Sequence, residues 1–192
     1  MEFEHKYIVR NGDFESVRTN LTALGFARGG VIKHQVDIYF LKSEQGSEAT
    51  HFIADGVPAY MRLRHDVNAN TFSFDIKLIR QYGVYGEHEV RIIDEKSFAD
   101  CEAILTLLGY RRGCITDKKR ETWKKDNVEI VLDDVKDLGA FIEIEIIAPA
   151  DEKDNALKRI DDLAAKLGLS PVDTMKTGYV NLWALKQSGI EF

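Results

Sequence analysis

The sequence predicts an α+β domain built around an antiparallel β-sheet. Many short segments alternate apolar and polar residues, and this period of two is typical of strands. Other segments repeat apolar residues every three or four positions and stop at a glycine, which indicates amphipathic helices. About eight strands with three or four helices fit either an open antiparallel sheet or a closed barrel.

The predicted elements follow the order strand, helix, several strands, helix, three strands, helix. The first strand covers residues 2–10, where Phe3, His5 and Tyr7 share one face. Residues 43–57 are polar and rich in turn-forming residues, which predicts a loop. The further strands are predicted at 32–40, 59–66, 71–80, 86–93, 114–123, 128–135 and 140–148, and the helices at 14–24, 98–108, 152–167 and 177–187.

Length and composition narrow the classes of protein. The 192 residues suit a single domain over residues 1–192. The net charge of −6 argues against a nucleic-acid partner, which would require a basic surface. No apolar run approaches the roughly 18 residues of a membrane span, and the start lacks a signal-like apolar region, so we expect no membrane partner and a cytoplasmic location. Cys101 and Cys114 form no Cys-x-x-Cys pair, which favours free thiols.

The polar faces of the predicted strands carry charged side chains in same-face pairs. Exposure to solvent would explain the charges on any single strand. The set as a whole separates by sign, however, with acids and bases concentrated on different strands. These positions are Glu2, Glu4, Lys6, Arg62, Arg64, Asp75, Lys77, Glu87, Glu89, Arg91, Lys118, Arg120, Asp133, Glu143 and Glu145.

A closed barrel would turn these charges inward, and their chemistry then indicates a ligand. Buried charges are costly unless a ligand or a metal compensates them. Carboxylates suit a hard divalent cation such as Mg²⁺ or Mn²⁺, whereas Arg and Lys suit phosphate oxygens. The two sets together predict a site for a nucleotide or a polyphosphate.

The charged motifs also resemble, in order along nearly the whole chain, those of the CYTH family, or triphosphate tunnel metalloenzymes. The N-terminal Glu2-Phe3-Glu4-His5-Lys6 is similar to the family's E-x-E-x-K signature. The resemblance implies an eight-stranded antiparallel tunnel flanked by helices. The other matching segments are Asp37-Ile38-Tyr39-Phe40, Arg62-Leu63-Arg64 with Lys77, Glu87-His88-Glu89, Lys118-Lys119-Arg120, Asp133 and Glu143-Ile144-Glu145.

The resemblance further implies roles for individual residues. It assigns one or two Mg²⁺ or Mn²⁺ ions to four carboxylates, those of Glu2, Glu4, Glu143 and Glu145. It assigns the triphosphate to basic residues, namely Lys6, Arg62, Arg64, Lys77, Lys118 and Arg120. Glu89 would support the basic cluster, and Lys176 would act as a lid. The implied catalytic residues are Glu4, Lys6 and Asp133.

The implied activity is the processing of a triphosphate, but the sequence leaves the reaction open. Attack by water would make the chain a triphosphatase acting on thiamine triphosphate or tripolyphosphate. Attack by the ribose 3′-hydroxyl of ATP would make it a class IV adenylyl cyclase that forms cyclic AMP and pyrophosphate. A non-catalytic nucleotide- or polyphosphate-binding module, an interaction barrel without a small ligand, and a homodimer all remain open.

Overall fold

A computed structural model describes residues 1–42, 52–54, 57–81 and 84–189. Four helices are present in these residues: α1 (Glu15–Ala23), α2 (Glu95–Leu107), α3 (Lys153–Lys166) and α4 (Tyr179–Gln187). The strands in the same residues are β1 (Glu2–Val9), β2 (Ala27–Arg28), β3 (Lys33–Lys42), β4 (Phe52–Ala54), β5 (Val57–Asp66), β6 (Thr71–Gln81), β7 (Val84–Ile92), β8 (Tyr110–Lys125), β9 (Val128–Val135), β10 (Gly139–Ile147) and β11 (Thr174–Met175).

The α+β fold class is confirmed, with an antiparallel sheet and four helices, but the strand count of eight is wrong. The described residues form eleven strands. The three additions, β2, β4 and β11, contain only two or three residues each, which is too short to show a period of two. The predicted loop at 43–57 also needs correction, since β4 lies within it; residues 43–51 and 55–56 lie outside the described part.

The chain divides into two compact units. The first unit contains Met1–Ile32, Gln81–Tyr85 and Lys118–Thr177. The second unit contains Lys33–Arg80, Gly86–Asp117 and Gly178–Phe192.

In the first unit, the strand order is β8–β9–β10–β1, with β2 beside β8 and with β11 and the start of β7 beside β1. One sheet face is apolar and packs with α1 and α3. Phe3, Tyr7 and Ile144 from the strands join Leu21 of α1 and Ile160 of α3 in one buried cluster. Burial of this face leaves the opposite face of the same strands to the charged residues.

In the second unit, β8, β3, β5, β6 and β7 are hydrogen-bonded in that order, and β4 pairs with β5. The apolar face of these strands packs against α2, where Leu63 and Phe72 meet Leu105. The other face carries charges and also contacts α4, because Val180 packs with Tyr39 and Cys114.

Local chemistry stabilises both ends of α2, which begins three residues before the predicted range of 98–108. Asp94 caps α2 by accepting a hydrogen bond of 2.7 Å from the backbone N–H of Ser97. Gly109 follows α2 with a φ of 86°, a conformation that costs glycine little, and so ends the helix. In the described part of the chain, every helix is too short or too polar to cross a membrane.

Candidate metal and phosphate site

Strand register brings the N-terminal charges of the first unit onto one sheet face. Glu4 pairs with Glu145 across β1 and β10, and Lys6 pairs with Glu143. Partners in an antiparallel pair point to the same side of the sheet. Glu2 shares this face, since it lies two residues before Glu4.

Three carboxylates of this face form a compact acidic group. Each of Glu2, Glu4 and Glu145 offers a carboxylate oxygen, and these oxygens all lie within 4.8 Å of one another. Glu4 is buried, so its charge gains little from solvent. Three converging carboxylate oxygens are the ligand type that Mg²⁺ and Mn²⁺ prefer, so the residues present fit a divalent cation.

The fourth predicted metal ligand, Glu143, contacts basic residues instead. Its Oε1 lies 2.5 Å from Lys6 Nζ, and its Oε2 accepts a hydrogen bond of 2.6 Å from Arg120 Nη2. Lys6 Nζ also lies 3.8 Å from Glu4 Oε1. Lys6 therefore connects the acidic group to the basic end of the same face.

Asp133 and Arg120 form a buried ion pair at that basic end. Arg120 donates to both oxygens of Asp133, at 2.7 Å from Nε and 2.5 Å from Nη2. Asp133 is fully buried, with 0% of its surface exposed. Its charge is thus held by Arg120, and this contact fixes the guanidinium on the charged face. Lys118, two residues before Arg120, is also buried.

The second unit has a matching set of ion pairs on its charged face. Arg64 donates to the two oxygens of Asp37 at 2.6 and 2.9 Å. Arg62 donates to Asp75 at 3.0 Å and to Glu87 at 3.1 Å. Asp37 and Asp75 are almost fully buried, so both arginines neutralise carboxylates that water does not solvate.

Burial and neighbouring charges perturb the ionisation of this second set. Burial alone would lower the pKa of Arg62. The negative charge of Asp37, with smaller contributions from Tyr39, Asp75 and Glu87, nevertheless raises that pKa well above its ordinary value. Burial, reinforced by Asp37, raises the pKa of Tyr39 to about 12. Burial also raises the pKa of Asp75, against the opposing effect of Arg62. Arg62 is therefore permanently charged, whereas Asp75 is the group most sensitive to the loss of its partner.

The remaining predicted site residues lie in less constrained positions. Lys77 is half-buried on the same face of β6 as Asp75. Glu89 is exposed, although one of its oxygens lies within 4.8 Å of oxygens of Asp75 and Glu87. Lys176 follows β11 in the first unit and is exposed.

Within each unit, the structure brings together charged residues that the sequence assigned to the site. In the first unit these are Glu2, Glu4, Lys6, Arg120, Asp133, Glu143 and Glu145. In the second unit, Arg62 donates hydrogen bonds to Asp75 and Glu87, and Glu89 lies beside these two acids.

Sequence reasoning gave no role to the buried partners of the arginines, Asp37 and Asp75. The signal was present, because Asp75 shares a strand face with Lys77 and Asp37 lies in a segment that resembles a CYTH motif. What the sequence does not reveal is cross-strand register, which places Asp37 opposite Arg64 and Asp75 opposite Arg62.

The antiparallel sheet and its charged faces define the class of the protein. It is an α+β domain in which carboxylates and arginines form ion pairs on the polar faces of the strands. The particular family is given by a sequence match. The CYTH domain matches residues 1–179, and the chain belongs to the CYTH family.

The chain is also similar to individual members of known sequence or structure. A Methanocaldococcus jannaschii protein named “Putative adenylate cyclase MJ0240” is 32% identical over 100 residues, covering 52% of this chain and 55% of that relative. The match thus spans about half the length of that relative. The structure of the PH1012 protein of Pyrococcus horikoshii is 26% identical and covers 95% of this chain and 99% of its own, with a TM-score of 0.78.

A Hippeastrum protein, named a “putative adenylyl cyclase” with a dominant triphosphatase activity, also shares the fold. It is 16% identical, covers 100% of this chain and 96% of its own, and has a TM-score of 0.64. At that identity the likeness concerns the fold alone.

Proposed function

We propose that the chain is a metal-dependent enzyme that processes a triphosphate, as an adenylyl cyclase or as a triphosphatase. The observation that carries the proposal is the single sheet face of the first unit on which three carboxylates converge next to Lys6. Acids suited to a divalent cation and bases suited to phosphate oxygens lie side by side there. Membership of the CYTH family supports the same activity.

The metal would be held by Glu2, Glu4 and Glu145, with Glu143 as a further candidate. When bound, Mg²⁺ or Mn²⁺ would supply positive charge that stabilises the negative charge developing on the phosphate oxygens. Glu143 contacts Lys6 and Arg120. It would therefore also orient these two cations, so a variant at Glu143 should affect both metal and substrate.

The phosphates would be bound by Lys6, Lys118 and Arg120. Neighbouring acids hold the charged groups of Lys6 and Arg120 in place. Asp133 would position Arg120, because the bidentate pair fixes the guanidinium plane. A phosphate arriving at this face would add acceptors to Lys6 and Arg120, each of which already contacts two acids. The cations are thus oriented before the substrate binds, which reduces the entropic cost of substrate binding.

We further propose Arg62, Arg64 and Lys77 as phosphate-binding residues, with Glu89 in a supporting role. Their support comes from the second unit itself, where Arg62 and Arg64 are fixed by buried carboxylates. Lys176 remains a proposed lid residue.

The reaction would follow from the nucleophile that the bound triphosphate meets. A water molecule would give hydrolysis, and a ribose hydroxyl would give a cyclic nucleotide. The relatives support both: the M. jannaschii protein by its cyclase name, and the family as a whole by including triphosphatases.

The test is an assay of phosphate release and of cyclic nucleotide formation over ATP, thiamine triphosphate and tripolyphosphate. We expect turnover of at least one substrate with Mg²⁺ or Mn²⁺ and its loss in excess chelator. Binding without any turnover would favour a non-catalytic polyphosphate-binding module. Full turnover in excess chelator would rule out the metal-dependent reaction.

Variants separate the two sets of residues on a confirmed substrate. Glu4→Gln should lower turnover and metal affinity while substrate binding largely survives. Lys118→Ala should weaken substrate binding by about a hundredfold, because a charged hydrogen bond contributes about 2–3 kcal/mol. Asp134→Asn removes an exposed acid next to Asp133 and is the matched control for which we expect normal kinetics.

A further inference from the structure

Two polar side chains in the second unit are buried without satisfying all of their hydrogen-bonding groups. Gln35 of β3 is 4% exposed and Thr116 of β8 is 2% exposed. Among the residues that the structure describes, neither Gln35 Oε1 nor Thr116 Oγ1 has a hydrogen-bond partner. Asp75 Oδ1 is a third such oxygen, but Arg62 Nε lies 2.9 Å from it. A buried oxygen without a partner costs free energy, so Gln35 and Thr116 are candidates for contact with a ligand.

The two side chains are neighbours across β3 and β8. These strands are hydrogen-bonded to each other, and His34 Nε2 lies 2.8 Å from Asp117 Oδ1 on one of their faces. Gln35 follows His34 along β3, and Thr116 precedes Asp117 along β8. In antiparallel strands these two steps lead in the same direction and onto the opposite face. Gln35 and Thr116 therefore lie next to each other on the charged face.

A third polar residue extends this pair on β5, where Asp66 lies opposite Gln35. We call Thr116, Gln35 and Asp66 the polar row. The next pair of same-face residues along β3 and β5 is Asp37 and Arg64, which are joined by two hydrogen bonds. Residues on one face of a strand are about 7 Å apart. The polar row therefore lies beside a guanidinium that we propose as a phosphate ligand.

The chemistry of the polar row disfavours a phosphate and favours a group that donates hydrogen bonds. Gln35 Oε1 can only accept, and the carboxylate of Asp66 already accepts from the backbone N–H of Ala69 at 3.4 Å. A phosphate would bring more acceptors and more negative charge to these oxygens. An amino group would instead supply the donor that Gln35 Oε1 lacks, and the hydroxyl of Thr116 can donate or accept.

We propose that Gln35 and Thr116 bind the organic part of the substrate, and that this part carries an amino group. The inference rests on the proposed function, because the triphosphate would lie on Arg62 and Arg64 next to the polar row. The aminopurine of ATP and the aminopyrimidine of thiamine triphosphate both have such a group, whereas tripolyphosphate has none. The substrate class is thus an organic triphosphate rather than an inorganic one.

Steady-state kinetics on ATP, thiamine triphosphate and tripolyphosphate test this assignment and distinguish the two organic substrates. The wild-type chain should have a higher kcat/KM for ATP or for thiamine triphosphate than for tripolyphosphate. Gln35→Met and Thr116→Val should each lower kcat/KM for that organic substrate about fivefold, the effect of losing one neutral hydrogen bond. Both variants should leave kcat/KM for tripolyphosphate unchanged.

Thr106→Val is the matched control for these kinetics. Thr106 is exposed on α2, and its hydroxyl donates to the backbone oxygen of Glu102 at 2.9 Å, away from the charged face. The variant makes the same chemical change as Thr116→Val. It should leave kcat/KM for all three substrates at the wild-type value.

Stability gives a second readout that does not depend on turnover. A hydroxyl with a partner inside the protein would stabilise the fold, whereas an unpartnered buried hydroxyl destabilises it until a ligand binds. Thr116→Val removes the hydroxyl and keeps the shape of the side chain. Its midpoint of urea unfolding without ligand should therefore equal or exceed that of the wild-type chain.

The outcomes separate this assignment from the proposed function. Variants at Gln35 and Thr116 that kept the wild-type kcat/KM for the organic substrate, or lost it equally for tripolyphosphate, would overturn the assignment. So would a wild-type preference for tripolyphosphate, or a lower urea midpoint in Thr116→Val. In each case the triphosphate-processing activity would stand. Absence of turnover for all three substrates would contradict the proposed function itself, and the assignment would fail with it.

Discussion

Arg62→Met should destabilise the fold strongly, because Arg62 neutralises a carboxylate that has almost no access to water. Arg62 Nε lies 2.9 Å from one oxygen of Asp75 and 3.0 Å from the other. Removing one partner of a buried pair costs about 3–5 kcal/mol, since the other charge is left uncompensated. For a chain of this length, that corresponds to a fall in Tm of about 10 °C.

The same variant makes a signed prediction for pH. Burial raises the pKa of folded Asp75, and Arg62 opposes that rise. Without Arg62 the pKa should rise further. An acid whose folded pKa is raised contributes stability that is fully present below the unfolded pKa and is lost as pH rises through the folded value. The stability deficit of Arg62→Met should therefore shrink as the pH is lowered towards about 4.

Urea unfolding at several pH values measures both effects. The matched control is Arg112→Met, which breaks the ion pair with Glu102, where Arg112 is half-exposed. Surface pairs of this kind contribute up to about 1 kcal/mol. If Arg62→Met lost no more stability than Arg112→Met, or if its deficit grew at low pH, the reasoning about buried charge would be refuted.

Three further predictions concern other parts of the chain. Ellman's reagent should modify half-buried Cys101 in the folded protein but not buried Cys114, and equal rates for the two thiols would contradict the packing. Burial raises the pKa of Cys114 and that of Tyr39 to about 12 each. The free energy of unfolding, measured in urea, should therefore fall as the pH rises from about 9 towards 12. A free energy of unfolding that does not change over this pH range would contradict this. Asp94→Ala should cost about 1 kcal/mol by removing the cap of α2, and an unchanged urea midpoint would show that the cap contributes little.

Much of the fold could be predicted because strands and helices leave different periodicities. β1 and β9 lie within one residue of the predicted ranges, and α1 and α3 end two residues before Gly25 and Gly168. The short strands could not be predicted, because β11 forms only where Met175 and Thr174 meet Lys6 and Tyr7 of a distant strand. Such pairing depends on tertiary structure and leaves no local pattern.

The composition of the charged faces could be predicted, but the contacts within them could not. From sequence, the charges appear as same-sign groups on separate strands, which suggests mutual repulsion. The structure instead pairs Lys6 with Glu143 and Arg120 with Asp133, through cross-strand register. Replacing one of these residues should therefore break an ion pair as well as relieve repulsion. The predicted tunnel and the combined set of ligands remain predictions.

Binding of Mn²⁺, followed by electron paramagnetic resonance, tests the central claim most directly, because it reports on the acidic group without requiring a known substrate. The wild-type chain should bind Mn²⁺ at the carboxylates of Glu2, Glu4 and Glu145. Glu4→Gln should weaken binding at least tenfold, and the control Asp134→Asn should leave it unchanged. If Glu4→Gln bound Mn²⁺ as tightly as the wild-type chain, the acidic group would not be the metal site and the proposed mechanism would fail.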